Sequence, residues 1–296
     1  MIDPGLQNKV VLVTGANNPF GIGAAIAEAF AVQGAAIFIT YWRSRPEAFG
    51  IDAATAADAT TPGEPFYRAR NAEAPDAVLG RLREQAVRVG SAEIDLADPE
   101  VMPRLFDRVE ETLGPVDILI NNAAHSVPDS FSSFGFSQED WAGRTRAMVD
   151  AKSHDRHFAV NSRAVVLLMA EYARRHVHRG AGWGRIVNIS TDAADCFPGE
   201  VSYERAKRRW NPTVVPPLSS SVSLASRSTW WLQGRSRLGG SPRRLKGRSW
   251  RTSHLGVWGG QTTWPMWWCS WPPSRRVGSR ASDSSSVAGT VSEKIA

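Results

Sequence analysis

Residues 1–207 of this 296-residue chain predict an α/β fold, a doubly wound parallel sheet with helices on both faces. Two observations carry that prediction. Short β-branched runs alternate with helical segments, the order that produces a parallel sheet covered on both sides. A glycine-rich turn also joins the first of these runs to an alanine-rich helical segment. A third observation limits the prediction: the composition changes abruptly after residue 207, and the remaining 89 residues follow a different pattern.

The elements follow in order. Lys9-Val10-Val11-Leu12-Val13-Thr14 predicts a buried strand over 9–14 that runs into a turn at Gly15. Residues 24–33, alanine-rich and apolar at helical spacing, predict a helix closed by Gly34. A second apolar strand is predicted over 35–41. Residues 44–75, rich in Ala, Pro, Thr and Asp, predict a long surface insertion. A helix over 77–89, a strand over 92–96, a helix over 99–113 and a strand over 116–120 follow. Residues 126–141, with Phe131, Phe134 and Phe136, either border a ligand pocket or pack as an ordinary loop. A long helix over 158–179 and a strand over 184–190 complete the pattern.

Composition excludes several classes of protein. Residues 1–207 hold 21 Lys+Arg against 27 Asp+Glu, whereas residues 208–296 hold 14 against 2, so the chain's net +6 averages two unlike halves. No apolar run approaches the roughly 18 residues of a membrane helix. The N-terminal Met1-Ile2-Asp3-Pro4-Gly5 lacks a basic segment followed by an apolar one, which argues against a secretory signal and makes a cytoplasmic location the expectation. Cys196 and Cys269 make no disulfide framework and are not spaced as metal ligands, so no metal site is expected. His154 and His157 have no companion ligands and are expected at the surface. His176 and His178 end a basic helix, where cations complement the dipole.

The chemistry-bearing motifs lie at the carboxyl ends of the predicted strands. In Thr14-Gly15-Ala16-Asn17-Asn18-Pro19-Phe20-Gly21-Ile22-Gly23, glycines allow close backbone approach to a diphosphate, and the helix N-terminus offers N–H groups and a positive dipole end. Asp95-Leu96 follows a strand, and Asn121-Asn122-Ala123-Ala124 follows another. Asn161 lies in Val160-Asn161-Ser162. Ser190 precedes Tyr203 by 13 residues, and Tyr203-Glu204-Arg205-Ala206-Lys207 places Tyr and Lys at i and i+4 on one helix face. Taken together over residues 8–207, these motifs resemble the short-chain dehydrogenase/reductase family, including its 3-oxoacyl-[acyl-carrier-protein] reductases. The departures are a glycine turn two residues longer than T-G-x-x-x-G-x-G and an alanine, Ala124, where the family's N-N-A-G motif ends in glycine.

The resemblance implies a Rossmann-type sheet and hydride transfer between a nicotinamide dinucleotide and a carbonyl or secondary alcohol. It implies a cofactor held by Thr14, Gly15, Asn18, Gly21, Ile22, Gly23, Asp95, Leu96, Asn122 and Ala123, and a homo-oligomer. The implied catalytic set is Asn161, Ser190, Tyr203 and Lys207, with Thr191 as the alternative to Ser190. A cationic Lys207 favours the phenolate of Tyr203, which then acts as general acid/base. Ser190 would hydrogen-bond the substrate oxygen, Tyr203 and Lys207 would also touch the cofactor, and Asn161 would anchor a relay water. After the second strand, Thr40-Tyr41-Trp42-Arg43-Ser44 carries no acid to bind an adenosine 2′-hydroxyl, and Arg43 is available for a 2′-phosphate. NADP(H) is therefore favoured over NAD(H), the alternative being that Arg43 is a solvated loop charge.

After Lys207 the resemblance stops, and Pro212 would break a helix one turn later. The genetic code offers a reason: if residues 208–296 are displaced by one nucleotide, each original codon joins the last base of one codon to the first two of the next. Trp210-Asn211 then restores a glutamate codon within a segment that permits A-A-L-E-S-Y. Residues 229–234 permit N-V-V-A-P-G, and residues 264–272 permit V-A-D-V-V-V-F-L-A, in the family's order. Two other readings are weaker, because neither explains those segments. Arg interleaved with Trp could bind nucleic acid, and a Ser/Arg/Pro/Gly-rich stretch could be a disordered interaction tail. The sequence thus leaves two functions open: an active enzyme, or an inactive remnant that keeps the nucleotide-binding half, residues 1–207, beside an aberrant 208–296.

Overall fold

The computed structural model describes residues 4–49, 51–131, 146–191 and 199–208. Five parallel strands form the sheet: β1 (Val10–Thr14), β2 (Ala36–Tyr41), β3 (Val89–Glu93), β4 (Ile118–Asn121) and β7 (Arg185–Asn188), in the spatial order β3-β2-β1-β4-β7. Two two-residue strands, β5 (Asp129–Ser130) and β6 (Ala147–Met148), pair separately. The doubly wound α/β expectation holds.

Alternation along the strands explains the two covered faces. Side chains on a strand point to opposite faces in turn. Leu12 and Phe38 join Leu105, Phe106, Leu168 and Tyr172 on one face, beneath α5 (Val101–Leu113) and α7 (Ala164–His178). Val11, Val13, Ile37 and Ile39 join Ala24, Ala27 and Leu82 on the other, beneath α1 (Ile22–Ala31) and α4 (Asp76–Arg83). The chain runs outward from β1 through β2 to β3, then returns to place β4 on the other side of β1. That reversal opens a crevice at the carboxyl ends of β1 and β4, where ligands bind in this architecture.

Several boundaries differ from the sequence expectation. β3 begins three residues before the predicted 92–96, because α4 ends at Arg83 and Ala86 turns the chain with φ 55°. Gly90 then passes close under Phe38, where a Cβ would lie 2.7 Å from a ring carbon. Residues 44–75 are not plain loop. They form a 3₁₀ turn (Pro46–Phe49), α2 (Ala53–Ala57) and α3 (Glu64–Asn71). Asp52 caps α2 by accepting from Ala54 and Thr55 N–H at 3.0 Å, and Pro65 sits in the first turn of α3. The single helix predicted over 158–179 is instead α6 (Ala151–Phe158), a π-helical turn (Ala159–Arg163) and α7. Tyr203 and Lys207 lie on α8 (Val201–Arg208).

Two histidine expectations are corrected. His157 is fully buried rather than exposed: its Nδ1 lies 2.7 Å from Ser153 O, and its Nε2 accepts from Val127 N–H at 3.1 Å. His176 is buried and stacks on Tyr172, and burial lowers its pKa, which disfavours a cation at the helix end. Phe134, Phe136, both cysteines and the whole of 209–296 lie outside the described residues.

Candidate active site

The glycine turn is built by contacts that leave no room for side chains. Gly15 has φ +70°, and a Cβ there would lie 2.7 Å from Ala123 Cα. A Cβ on Gly23 would collide with Gly15 O and stand 2.6 Å from Asn122 Nδ2. The ends of β1 and β4 are clamped together. Thr14 Oγ1 accepts from the N–H groups of Asn122 and Ala123 at 3.0 Å, while Asn122 Nδ2 donates to the carbonyls of Thr14 (2.9 Å) and Gly15 (2.8 Å). Gly21 begins α1 with no side-chain cap and no acid in the first turn. Such an uncapped N-terminus presents backbone donors suited to an anion.

One cavity of about 370 Å³ is lined by this turn and by the Tyr203–Lys207 motif alike. Gly15, Asn18, Gly21, Ile22 and Gly23 line it together with Asp95, Leu96, Asn122 and Ala123. Ser190, Thr191, Tyr203 and Lys207 line it as well. Asp95 accepts from Ala97 N–H at 3.0 Å and from Arg156 at 2.8 Å. Burial opposes its charge, but the Arg156 and Ala97 hydrogen bonds outweigh burial and hold the carboxyl below its usual range. Asn18 donates to Tyr67 O (3.3 Å) and Asn71 Oδ1 (2.9 Å), and so binds the turn to α3.

Lys207 is buried and donates from Nζ to Ile189 O at 3.0 Å. Its Nζ stands 6.0 Å from the centre of the Tyr203 ring, and burial lowers its pKa to about 8, which leaves it mainly charged at neutral pH. Asn161 sits fully buried in the π turn and grips the peptide group of His125 from both sides. Its Oδ1 accepts from His125 N–H at 2.8 Å, and its Nδ2 donates to His125 O at 2.7 Å. Arg43 is placed differently from its neighbours. Trp42 and Ser44 line the cavity, whereas the Arg43 guanidinium donates to both carboxylate oxygens of Glu93 at 2.7–3.0 Å on the exposed end of β3.

Sequence reasoning missed three features of the cavity wall. His125 lines it against His157, and burial, with His157, Arg156 and Arg68 adding to it, pushes the imidazole down to about 3. Glu64, Tyr67, Arg68 and Asn71 reach it from the insertion. Glu93 occupies the charge of Arg43. Only the i, i+3, i+4, i+7 spacing of the α3 residues was visible in the sequence, and it is polar rather than apolar. Among the described residues no cluster of His, Cys, Asp or Glu is placed to hold a metal, and no helix is long and apolar enough to cross a membrane.

This arrangement has relatives. A family model described as short chain dehydrogenase matches residues 46–209. The chain is 34% identical to the uncharacterized oxidoreductase YjdA of Bacillus subtilis over 203 residues, 68% of this chain and 64% of the relative. It is 30% identical over 189 residues to versicolorin reductase stcU of Emericella nidulans, 64% of this chain and 53% of that protein. The crystal structure of a short chain dehydrogenase from Burkholderia cenocepacia in complex with NADP superposes with a TM-score of 0.50 at 29% identity, covering 69% of this chain and 65% of that one. The chain therefore spans less than two thirds of the length of each of these relatives. With more than half of its residues matched by the family model, the chain belongs to the short-chain dehydrogenase family.

Proposed function

We propose that residues 1–207 are the dinucleotide-binding and proton-transfer part of an oxidoreductase that interconverts a carbonyl and a secondary alcohol. The observation that carries this reading is one cavity lined both by the glycine turn and by Ser190, Tyr203 and Lys207. The turn fits a nicotinamide dinucleotide: its glycines leave a cradle that a Cβ would fill, and α1 begins without a side-chain cap. Gly15, Gly21, Ile22 and Gly23 would hold the diphosphate, and Asp95 and Leu96 the adenine side. When bound, the dinucleotide supplies or accepts the hydride.

The chain's own residues handle the proton. A cationic Lys207 beside the Tyr203 ring favours the phenolate over the phenol. Tyr203 would then give a proton to a carbonyl oxygen or take one from an alcohol. Ser190 holds that oxygen, with Thr191 as its alternate. Asn161 is a positioning residue through its grip on His125, and any relay water falls to its main chain.

NADP(H) is favoured, because no acid from β2 meets the adenosine ribose and the relative from Burkholderia cenocepacia is a complex with NADP. The Arg43–Glu93 pair must then open or share its charge. A 3-oxoacyl thioester is the first substrate to test, given the resemblance to 3-oxoacyl-[acyl-carrier-protein] reductases. The second reading is an inactive remnant with residues 208–296 out of frame. It is supported by the family match ending at residue 209, two residues past Lys207. Titration of the full chain with NADPH, followed by NADPH-oxidation assays on a panel of ketones and 3-oxoacyl thioesters, tests both. Binding without turnover selects the remnant, turnover selects the enzyme, and absence of binding defeats the dinucleotide reading.

A further inference from the structure

The glycine turn is two residues longer than the family motif, and residues 44–75 lie between β2 and α4. The structure joins these two segments. Asn17 Nδ2 donates to the carbonyls of Asn71 and Glu73 at 2.9 Å, and Asn18 Nδ2 donates to Tyr67 O and Asn71 Oδ1. The lengthened turn therefore docks α3. Docking aims one helix face, Glu64, Tyr67, Arg68 and Asn71 at i, i+3, i+4 and i+7, into the cavity.

Arg68 stands out on that face. It is 7% exposed, a rare state for arginine unless it is held by partners. Its Nε donates to Glu64 Oε1 at 2.7 Å, its Nη2 donates to Ser126 O at 3.1 Å, and its guanidinium lies 3.6 Å from the centre of the Phe49 ring. Nη1, with two protons, has no hydrogen-bond partner among the described residues. Through Ser126, the residue after the His125 that Asn161 grips, the side chain reaches from α3 to the loop following β4. It thus lines the same cavity as the glycine turn, Tyr203 and Lys207.

We propose that Arg68 is a second anchor for the bound dinucleotide, donating from Nη1 to the diphosphate. The proposal rests on the dinucleotide reading given above. A dinucleotide reaching from Asp95 and Leu96 to Tyr203 crosses the region beneath α3, and its diphosphate is the anionic part that lies midway. Glu64 and Phe49 fix the guanidinium plane before the ligand arrives, so little side-chain entropy is lost on binding.

The test compares the 296-residue chain with its Arg68→Gln and Arg68→Lys variants. NADPH affinity is measured by fluorescence titration, and adenosine 2′-monophosphate, which has no diphosphate, by competition. Charge-assisted hydrogen bonds predict about tenfold weaker NADPH binding in Arg68→Gln, unchanged binding of the monophosphate, and recovery of most of the NADPH affinity in Arg68→Lys. Equal NADPH affinity in all three proteins, or a parallel loss for the monophosphate, overturns the anchor while leaving the dinucleotide reading in place. Failure of the unsubstituted chain to bind NADPH overturns both.

Discussion

Arg43 follows a strand whose end lines the cavity, and the local sequence makes it a natural partner for a 2′-phosphate. Glu93, fifty positions away, accepts from its Nε and Nη2 on one edge, and the hydrogen bond from Arg43 holds the Glu93 carboxyl below its usual range. A pairing across two parallel strands depends on their register, Tyr41 opposite Glu93, and leaves no trace in the sequence around either residue. The pair is exposed to solvent and screened by it, so it competes with a phosphate without excluding it. Glu93→Gln is expected to tighten NADPH binding by up to about fivefold and leave NADH unchanged, whereas Arg43→Ala weakens NADPH more than NADH. Titration of both cofactors checks this, and equal changes for both would refute the assignment. His125 supplies a pH prediction at the same scale. Its folded pKa, about 3, lies below the unfolded value of about 6.5, so the unfolded chain binds the extra proton. Stability is therefore complete above pH 6.5 and falls as the pH drops towards 3, with His157 acting in the same direction. Thermal melting between pH 7 and 4 should show that slope, and His125→Gln should flatten it.

Whether an element was legible depended on what its inner face is made of. β1 and β2 were found within a residue or so, because a strand buried on both faces is a continuous apolar run. The edge strand β3 carries Gly90 and Ser91 and slipped by three residues in the reading. α3 was invisible as a helix, because its inward face is Glu64, Tyr67, Arg68 and Asn71, and apolar periodicity detects only helices that bury apolar stripes. The π turn between α6 and α7 was equally hidden, since nothing in Ala159-Val160-Asn161-Ser162-Arg163 departs from helical composition. Such turns concentrate at functional sites, and here the turn carries the buried Asn161 that fixes His125. Asn161→Ala leaves the His125 N–H and C=O without the partners they have in the structure. The expected cost is about 1 kcal/mol for each of the two part-buried hydrogen bonds lost. Denaturant unfolding should register that loss, and an unchanged midpoint would remove the positioning role.

At the scale of the whole molecule, the question is how much function survives in residues 1–207 when 208–296 follow another pattern. The glycine turn, Asn122, Ser190, Tyr203 and Lys207 that line the cavity lie within residues 1–207, and the inner end of α8 is tied to the surrounding elements. Ser202 N–H donates to Asp129 Oδ1 at 2.9 Å, Ala206 is fully buried, and Lys207 holds Ile189 O. Dinucleotide binding is therefore expected to persist in the chain as it stands. Turnover is more demanding. α8 has eight residues, too short to be stable alone in water, and the sequence that follows it carries a helix breaker at Pro212. Displacement of Tyr203 by about 1 Å would cost on the order of a hundredfold in rate. The expected outcome is NADPH binding with little or no carbonyl reduction. A gene with the reading frame shifted by one nucleotide after codon 207 should encode an active reductase. In that restored protein Tyr203→Phe should lower turnover by about 10²–10⁴-fold, with a far smaller change in NADPH affinity, because proton transfer depends on the hydroxyl and the diphosphate cradle does not. NADPH-oxidation assays on the three proteins decide the matter. Full activity from the 296-residue chain would sink the remnant reading, full activity from the Tyr203→Phe protein would sink the catalytic assignment, and an inactive restored protein would sink the displaced-frame account of residues 208–296.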